Sequence, residues 1–246
     1  MGEALAGGLL RAGWDGIGIV EKLDDRRAAL NELLPGVEVL GEVALADGAV
    51  VAVKPNDVAT ACAALKGTPR VLSIAAGVPI AALESALEPG TAVVRAMPNT
   101  PALVGAGAAA IAAGTAAGDD DLEWAASILG AVGEVVRVPE SLLDAVTGLS
   151  GSGPAYVFLV AEALIEAGVL AGLPREVSVA LTTQTLLGSA RLLAESGTTP
   201  EALRAQVTSP GGTTAAGLHA LESAGVRAAF LDAVLAATAR SRELGR

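Results

Sequence analysis

Six short β-branched runs punctuate the first 140 residues of this 246-residue chain, and the pattern then stops. They are residues 17–20, 37–40, 49–53, 71–74, 92–95 and 134–138, each bounded by glycine, proline or a charge. Short apolar runs bounded in this way are the signature of strands buried on both faces. Residues 24–34, 56–66 and 79–87 lie between the early runs and read as helices. Strands alternating with helices predict a mostly parallel sheet covered on both sides. Beyond Pro139, residues 154–170, 174–195, 200–207, 213–222 and 226–244 all read as helices. Pro174 and Pro200 fall where first-turn prolines are tolerated, and Gly172 and Gly197 fall at helix ends. The expected organisation is an α/β domain over 1–138 and a helical domain over 139–246. Residues 154–170 are apolar almost all round, so burying them calls for a second subunit.

Composition narrows the function classes. Mean hydropathy is +0.56, which raises the question of a membrane. The two longest uncharged stretches, 96–118 and 145–161, are broken by Met97-Pro98-Asn99-Thr100-Pro101 and by Ser150-Gly151-Ser152-Gly153-Pro154. Neither reads as a spanning helix, and no basic-then-apolar leader opens the chain, so the expectation is a cytoplasmic protein. A net charge of −11 argues against a nucleic-acid partner. One cysteine (Cys62) and one histidine (His219) leave no disulfide framework and no Cys/His metal cluster. His219 sits in an ordinary helical context, read as exposed or capping.

Parallel sheets bind ligands beyond the carboxyl ends of their strands. Two such ends carry Val53-Lys54-Pro55 and Ala75-Ala76-Gly77, small enough for a flat cofactor to lie against the backbone, although ordinary turn chemistry reads the same way. A complete Gly-x-Gly-x-x-Gly fingerprint is absent. Residues 1–13 read as the helix that should follow such a loop, with Gly2 as its last glycine. Glu21 then ends the next strand where a ribose-binding carboxylate belongs. The expectation is that the first strand and the rest of the phosphate loop lie upstream of this chain; the alternative is a chain that opens on an amphipathic helix. In the helical half, Gln206-Val207-Thr208-Ser209-Pro210-Gly211-Gly212-Thr213-Thr214 leads straight into a helix without a lysine or arginine. Its glycines, hydroxyls and free helix-start amides suit a small carboxylate. A plain capping loop is the other reading.

Taken together these segments resemble the Δ1-pyrroline-5-carboxylate reductase family. The resemblance rests on Ala52-Val53-Lys54-Pro55, Ala75-Ala76-Gly77, Arg95-Ala96-Met97-Pro98-Asn99-Thr100-Pro101, Leu149-Ser150-Gly151-Ser152-Gly153-Pro154-Ala155-Tyr156, Gly172-Leu173-Pro174-Arg175 and Val207 to Thr214, in family order from Gly2 to the C-terminus. It implies a Rossmann-type doubly wound sheet lacking its first strand, followed by an all-helical dimerisation domain. It implies NADPH- or NADH-dependent reduction of the ring C=N of 1-pyrroline-5-carboxylate to L-proline. It places Glu140, Ser209, Thr213 and Thr214 at the substrate, Thr214 with its hydroxyl toward the ring nitrogen as the catalytic group. It places Gly2, Glu21, Lys22, Val53, Lys54, Pro55, Ala75, Ala76, Gly77, Asn99 and Gln206 along the cofactor, and no metal. It also implies a homodimer through the helical domain with the site shared between subunits, and rings of dimers up to a decamer.

Two rivals remain. Related hydroxyacid reductases with a helical second domain usually place a catalytic lysine there, and no lysine occurs between Pro139 and Arg246. The other rival is an oligomeric scaffold that binds cofactor poorly. Cofactor choice stays open: Glu21 favours a free ribose hydroxyl, while Lys22, Arg26 and Arg27 suit a 2′-phosphate.

Overall fold

The computed structural model describes residues 1–245. In chain order the first part runs α1 (Gly2–Arg11), β1 (Gly18–Val20), α2 (Asp24–Leu33), β2 (Glu38–Leu40), β3 (Ala49–Val51), α3 (Val58–Ala63), β4 (Arg70–Ser73), α4 (Ile80–Ala86), β5 (Ala92–Met97), β6 (Gly107–Ala113), α5 (Asp119–Gly130) and β7 (Gly133–Arg137). The rest is helical: α6 (Leu143–Val146), α7 (Gly153–Leu170), α8 (Arg175–Glu195), α9 (Pro200–Gln206), α10 (Thr213–Ser223) and α11 (Val226–Leu244).

The strands form two sheets. β1 and β2 pair in parallel, and β3-β4-β5-β6-β7 form a five-stranded sheet that is parallel except between β5 and β6. No hydrogen-bonded strand joins β1 to β3 among the described residues, so the interruption falls where the sequence reading leaves a strand out. Side chains of the larger sheet alternate between two cores. Leu72, Val94, Ala109 and Ile111 pack toward α1 and α5, with Leu5, Leu9, Ala125, Ile128 and Leu129. Val71, Val93, Ala110 and Ala112 pack toward α3, α4 and α6, with Val58, Cys62, Leu83 and Leu143. This period-2 alternation with helices on both faces is the doubly wound arrangement. α2 covers the small sheet through Leu30, with Ala6, Leu34 and Val37.

Two elements depart from the sequence reading. Residues 107–113, assigned to no element in the sequence reading, form β6, antiparallel to β5. Residues 119–130 form α5, whose first turn holds Asp119, Asp120 and Asp121 at the positive end of the helix dipole. Asp121 Oδ2 accepts the Gly118 N–H at 2.9 Å and closes that end.

By packing, the chain divides into Met1–Pro154 together with the segment from Leu235 onward, and Ala155–Val234. Strands end at Arg137, close to the expected boundary at 138/139, but the packed first unit continues through α6 to Pro154. The end of α11 belongs to this unit: Ser241 Oγ donates to Asp144 Oδ1 at 2.6 Å. It also lies against the loop after β4, where a Cβ on Gly245 would stand 3.2 Å from the Gly77 carbonyl oxygen.

The second unit buries little of its own. Ser178 is its buried anchor, donating to the Ile165 carbonyl at 2.8 Å, and Gly168 makes room for it. On α7, Val157, Phe158 and Leu159 are 51, 61 and 65% exposed. The helical run 140–170 is long and apolar enough, by length and composition alone, to cross a membrane, and none of its most apolar window is buried. A contiguous apolar face of this size marks an association surface.

Candidate active site

In the first unit the predicted cofactor residues gather at the carboxyl ends of β1, β3, β4 and β5. Val53, Lys54 and Pro55 follow β3, and Ala75, Ala76 and Gly77 follow β4. Because β3, β4 and β5 are hydrogen-bonded neighbours in parallel, these loops and Asn99 share one edge of the sheet. Gly77 has φ +76°, a left-handed conformation that favours glycine. Gly2 begins α1, and a Cβ there would come within 3.2 Å of the Ala52 Cβ, so the start of α1 abuts the end of β3. No side chain caps α1, whose first-turn amides carry the positive end of its dipole. Small residues, a tight glycine turn and an uncapped helix start fit a dinucleotide.

Glu21 follows β1 directly, half-buried, with Oε1 accepting the Leu23 N–H at 3.0 Å. Arg27 donates to the carbonyls of Glu21 and Lys22 at 2.8 and 2.9 Å and pairs with Asp24. Arg26 pairs with Glu3 of α1.

Asn99 is buried with its amide committed to backbone: Nδ2 donates to the Ser150 carbonyl at 3.1 Å, and Oδ1 accepts Ala108 N–H at 2.8 Å. What it offers a ligand is the position of the β5 end. Glu140 is engaged too. Its Oε1 accepts from Arg95 Nη1 at 2.8 Å and from Ile80 N–H at 2.7 Å. It thereby clasps the first amide of α4, just beyond the Ala75–Gly77 loop, to β5. The Arg95 side chain is only 13% exposed and that of Glu140 34%. Sequence reasoning singled out Glu140 and missed Arg95 as its partner.

In the second unit the predicted anion loop lies between two helices. α9 ends at Gln206 and α10 begins at Thr213, with Gly212 as N-cap and no side-chain cap. The first-turn amides, those of Thr213 and Thr214 among them, are therefore available to an anion. Gly212 N–H donates to the Ser209 carbonyl at 3.0 Å, and Gly211 takes φ +69° to turn the chain. A Cβ on Gly212 would stand 2.3 Å from Ser209 Oγ, so the hydroxyl occupies the space a side chain would take. Backbone and hydroxyl converge on the start of α10. Behind the loop, Arg227 donates to Glu222 at 2.8 and 3.0 Å, and Arg204 Nη1 lies 3.7 Å from the same carboxylate. Arg227 holds the Glu222 carboxyl below its ordinary range. This cluster joins α9 to the end of α10 and the start of α11. His219 lies exposed on α10.

A doubly wound sheet with a glycine turn at its carboxyl edge, followed by a helical unit with an uncapped α10 start, is the architecture of a dinucleotide-dependent oxidoreductase. Residues 140–244 match the family profile described as pyrroline-5-carboxylate reductase dimerisation. A curated relative from Methanosarcina acetivorans, named pyrroline-5-carboxylate reductase, is 45% identical over 100% of this chain and 95% of its own length. The solved pyrroline-5-carboxylate reductase of Coxiella burnetii is 38% identical, with a TM-score of 0.94 over 100% of this chain and 95% of that one. The Plasmodium falciparum pyrroline carboxylate reductase, solved with NADP bound, is 31% identical with a TM-score of 0.83, covering 100% and 96%. The chain belongs to the pyrroline-5-carboxylate reductase family. Like its relatives it is an NAD(P)H-dependent oxidoreductase acting on a C=N group, and it carries the family's dimerisation domain.

Proposed function

We propose that the loop Ser209–Thr214 grips the carboxylate of 1-pyrroline-5-carboxylate while the sheet edge holds NADPH or NADH, so that the ring C=N is reduced to L-proline. The observation that carries this reading is the α10 start, uncapped by any side chain and overlaid by the Ser209 hydroxyl. A carboxylate there accepts hydrogen bonds from the Thr213 and Thr214 amides and from Ser209 Oγ, with the helix dipole favouring its charge. The Thr214 hydroxyl is then the group facing the ring nitrogen, where it stabilises the protonated imine or passes on a solvent proton. When bound, the reduced nicotinamide supplies the hydride that the imine carbon accepts. The nitrogen keeps its proton, the C=N bond becomes a C–N single bond, and the product is a secondary amine. The residues contribute position and orientation, which is the main requirement of hydride transfer to an iminium. Gly2, Val53, Lys54, Pro55, Ala75, Ala76 and Gly77 line the cofactor in this reading, with Gln206 and Asn99 at its margins and Glu140 set near the substrate.

The reading extends to a homodimer through the helical domain, to rings as large as a decamer, and to a cytoplasmic enzyme without membrane or nucleic-acid partners. The test is oxidation of NADH and of NADPH by the chain in the presence of pyrroline-5-carboxylate, with proline measured as product. Turnover with proline formed is the expected result; its absence with both cofactors overturns the reading. Thr214→Ala should lower kcat/KM on the order of 10- to 1000-fold, the loss of one positioned hydrogen bond.

A further inference from the structure

We propose that this chain selects NADH over NADPH, with Glu21 as the discriminating residue and two ion pairs withholding the cations that a 2′-phosphate would need. The inference rests on the reading that the end of β1 meets the adenosine ribose. In a sheet of this type a carboxylate at that strand end hydrogen-bonds the ribose hydroxyls. Glu21 stands there, directly after Val20. Its Oε1 accepts a single N–H, from Leu23, which aims the carboxylate without exhausting its acceptor capacity.

A 2′-phosphate replaces one ribose hydroxyl by a group of between one and two negative charges with only acceptor oxygens. Against Glu21 it meets like charge and loses the donor that the carboxylate needs. Discrimination then turns on whether cations can offset this. Between residues 21 and 27 the candidates are Lys22, Arg26 and Arg27. Arg26 is paired with Glu3. Arg27 is pinned to Asp24 and to the carbonyls of Glu21 and Lys22, where it shapes the turn. Its fork is thus spent on the backbone that presents Glu21. Lys22 remains exposed, set against Glu21, Asp24 and Asp25 in the same short segment. A lone lysine among three acids, with both arginines engaged, is a poor phosphate site.

The test is equilibrium binding of NADH and of NADPH to the full chain without substrate, followed by titration calorimetry or quenching of tryptophan fluorescence. NADH should bind about tenfold or more tightly than NADPH, the scale of one unfavourable like-charge contact. Glu21→Gln keeps an acceptor for Leu23 N–H and removes the charge; it should shrink that ratio about tenfold, mainly by tightening NADPH. The paired variant Glu3→Gln with Asp24→Asn frees Arg26 and the Nη2 arm of Arg27, whose Nη1 stays on the Glu21 and Lys22 carbonyls, and should tighten NADPH while leaving NADH within about twofold. Equal or tighter binding of NADPH by the unaltered chain, no binding of NADH, or an unchanged ratio in both variants overturns the proposal. Circular dichroism checks that each variant folds, and if Glu21→Gln does not, the paired variant decides. A chain that binds NADH but fails to reduce pyrroline-5-carboxylate overturns the functional reading and leaves the cofactor preference standing.

Discussion

Gly212 has φ −79°, a backbone any residue adopts, so its glycine character answers to space and not to torsion. The space is taken by Ser209 Oγ. Gly212→Ala should therefore leave the melting temperature within a few degrees while pushing the hydroxyl off the start of α10. Steady-state kinetics should register a rise in KM for pyrroline-5-carboxylate of about tenfold, the equivalent of one hydrogen bond to a charged group. At Glu140 the stake is different. Glu140→Gln leaves Arg95 without its counter-ion in a site 13% exposed. With the carboxylate one-third exposed, the cost should be about 1–3 kcal/mol, below that of a fully buried pair. Thermal unfolding measures that loss, and the KM for cofactor should rise because α4 and the loop ahead of it lose their clasp. The turn and helix start at Ser209–Thr214 were legible in the sequence because their hydroxyls and glycines are contiguous. The Arg95–Glu140 pair was not, since an ion pair between residues 45 positions apart leaves no periodic trace.

At the scale of elements, the strands read from β-branched runs all recur, with ends moved by a residue or two. β6 escaped because Gly107–Ala113 is nearly all alanine, a helix former by propensity. Tertiary context decides otherwise: Ala110, Ile111 and Ala112 are buried between two helical layers, where small side chains let the layers close. α5 did carry a signal that went unused, an acidic first turn followed by Leu122, Ala125, Ile128 and Leu129 on one face. α3 offers a further check. Cys62 is 2% exposed, and burial raises its thiol pKa above the ordinary 9.0. The folded state therefore holds the thiol proton more tightly than the unfolded one. The stability linked to this is present below pH 9.0 and is lost as pH climbs through the native value. Thiol alkylation near neutral pH should be slow until the chain unfolds, and Cys62→Ala should lessen alkaline destabilisation. Fast labelling of the native protein would refute the buried placement.

For the whole molecule, the helical half explains itself only in company. Phe158 and Leu159 are exposed in a single copy, in a unit with almost no core of its own. The sequence disclosed this need through the all-round apolarity of α7, while the partner's contacts lie outside any single chain. Phe158→Glu should shift the protein toward monomer in light-scattering chromatography and make its melting temperature depend more steeply on concentration. An unchanged assembly would remove α7 from the interface.

The last turn of α11 rests on the loop at Gly77, and the first residue of α1 rests on Ala52. Gly2 and Gly245 therefore stand beside the turns that follow β3 and β4, at the edge proposed for the nucleotide. A bulky probe attached at either residue would crowd that doorway, whereas surface immobilisation through engineered anchors on the α5 side would leave it open.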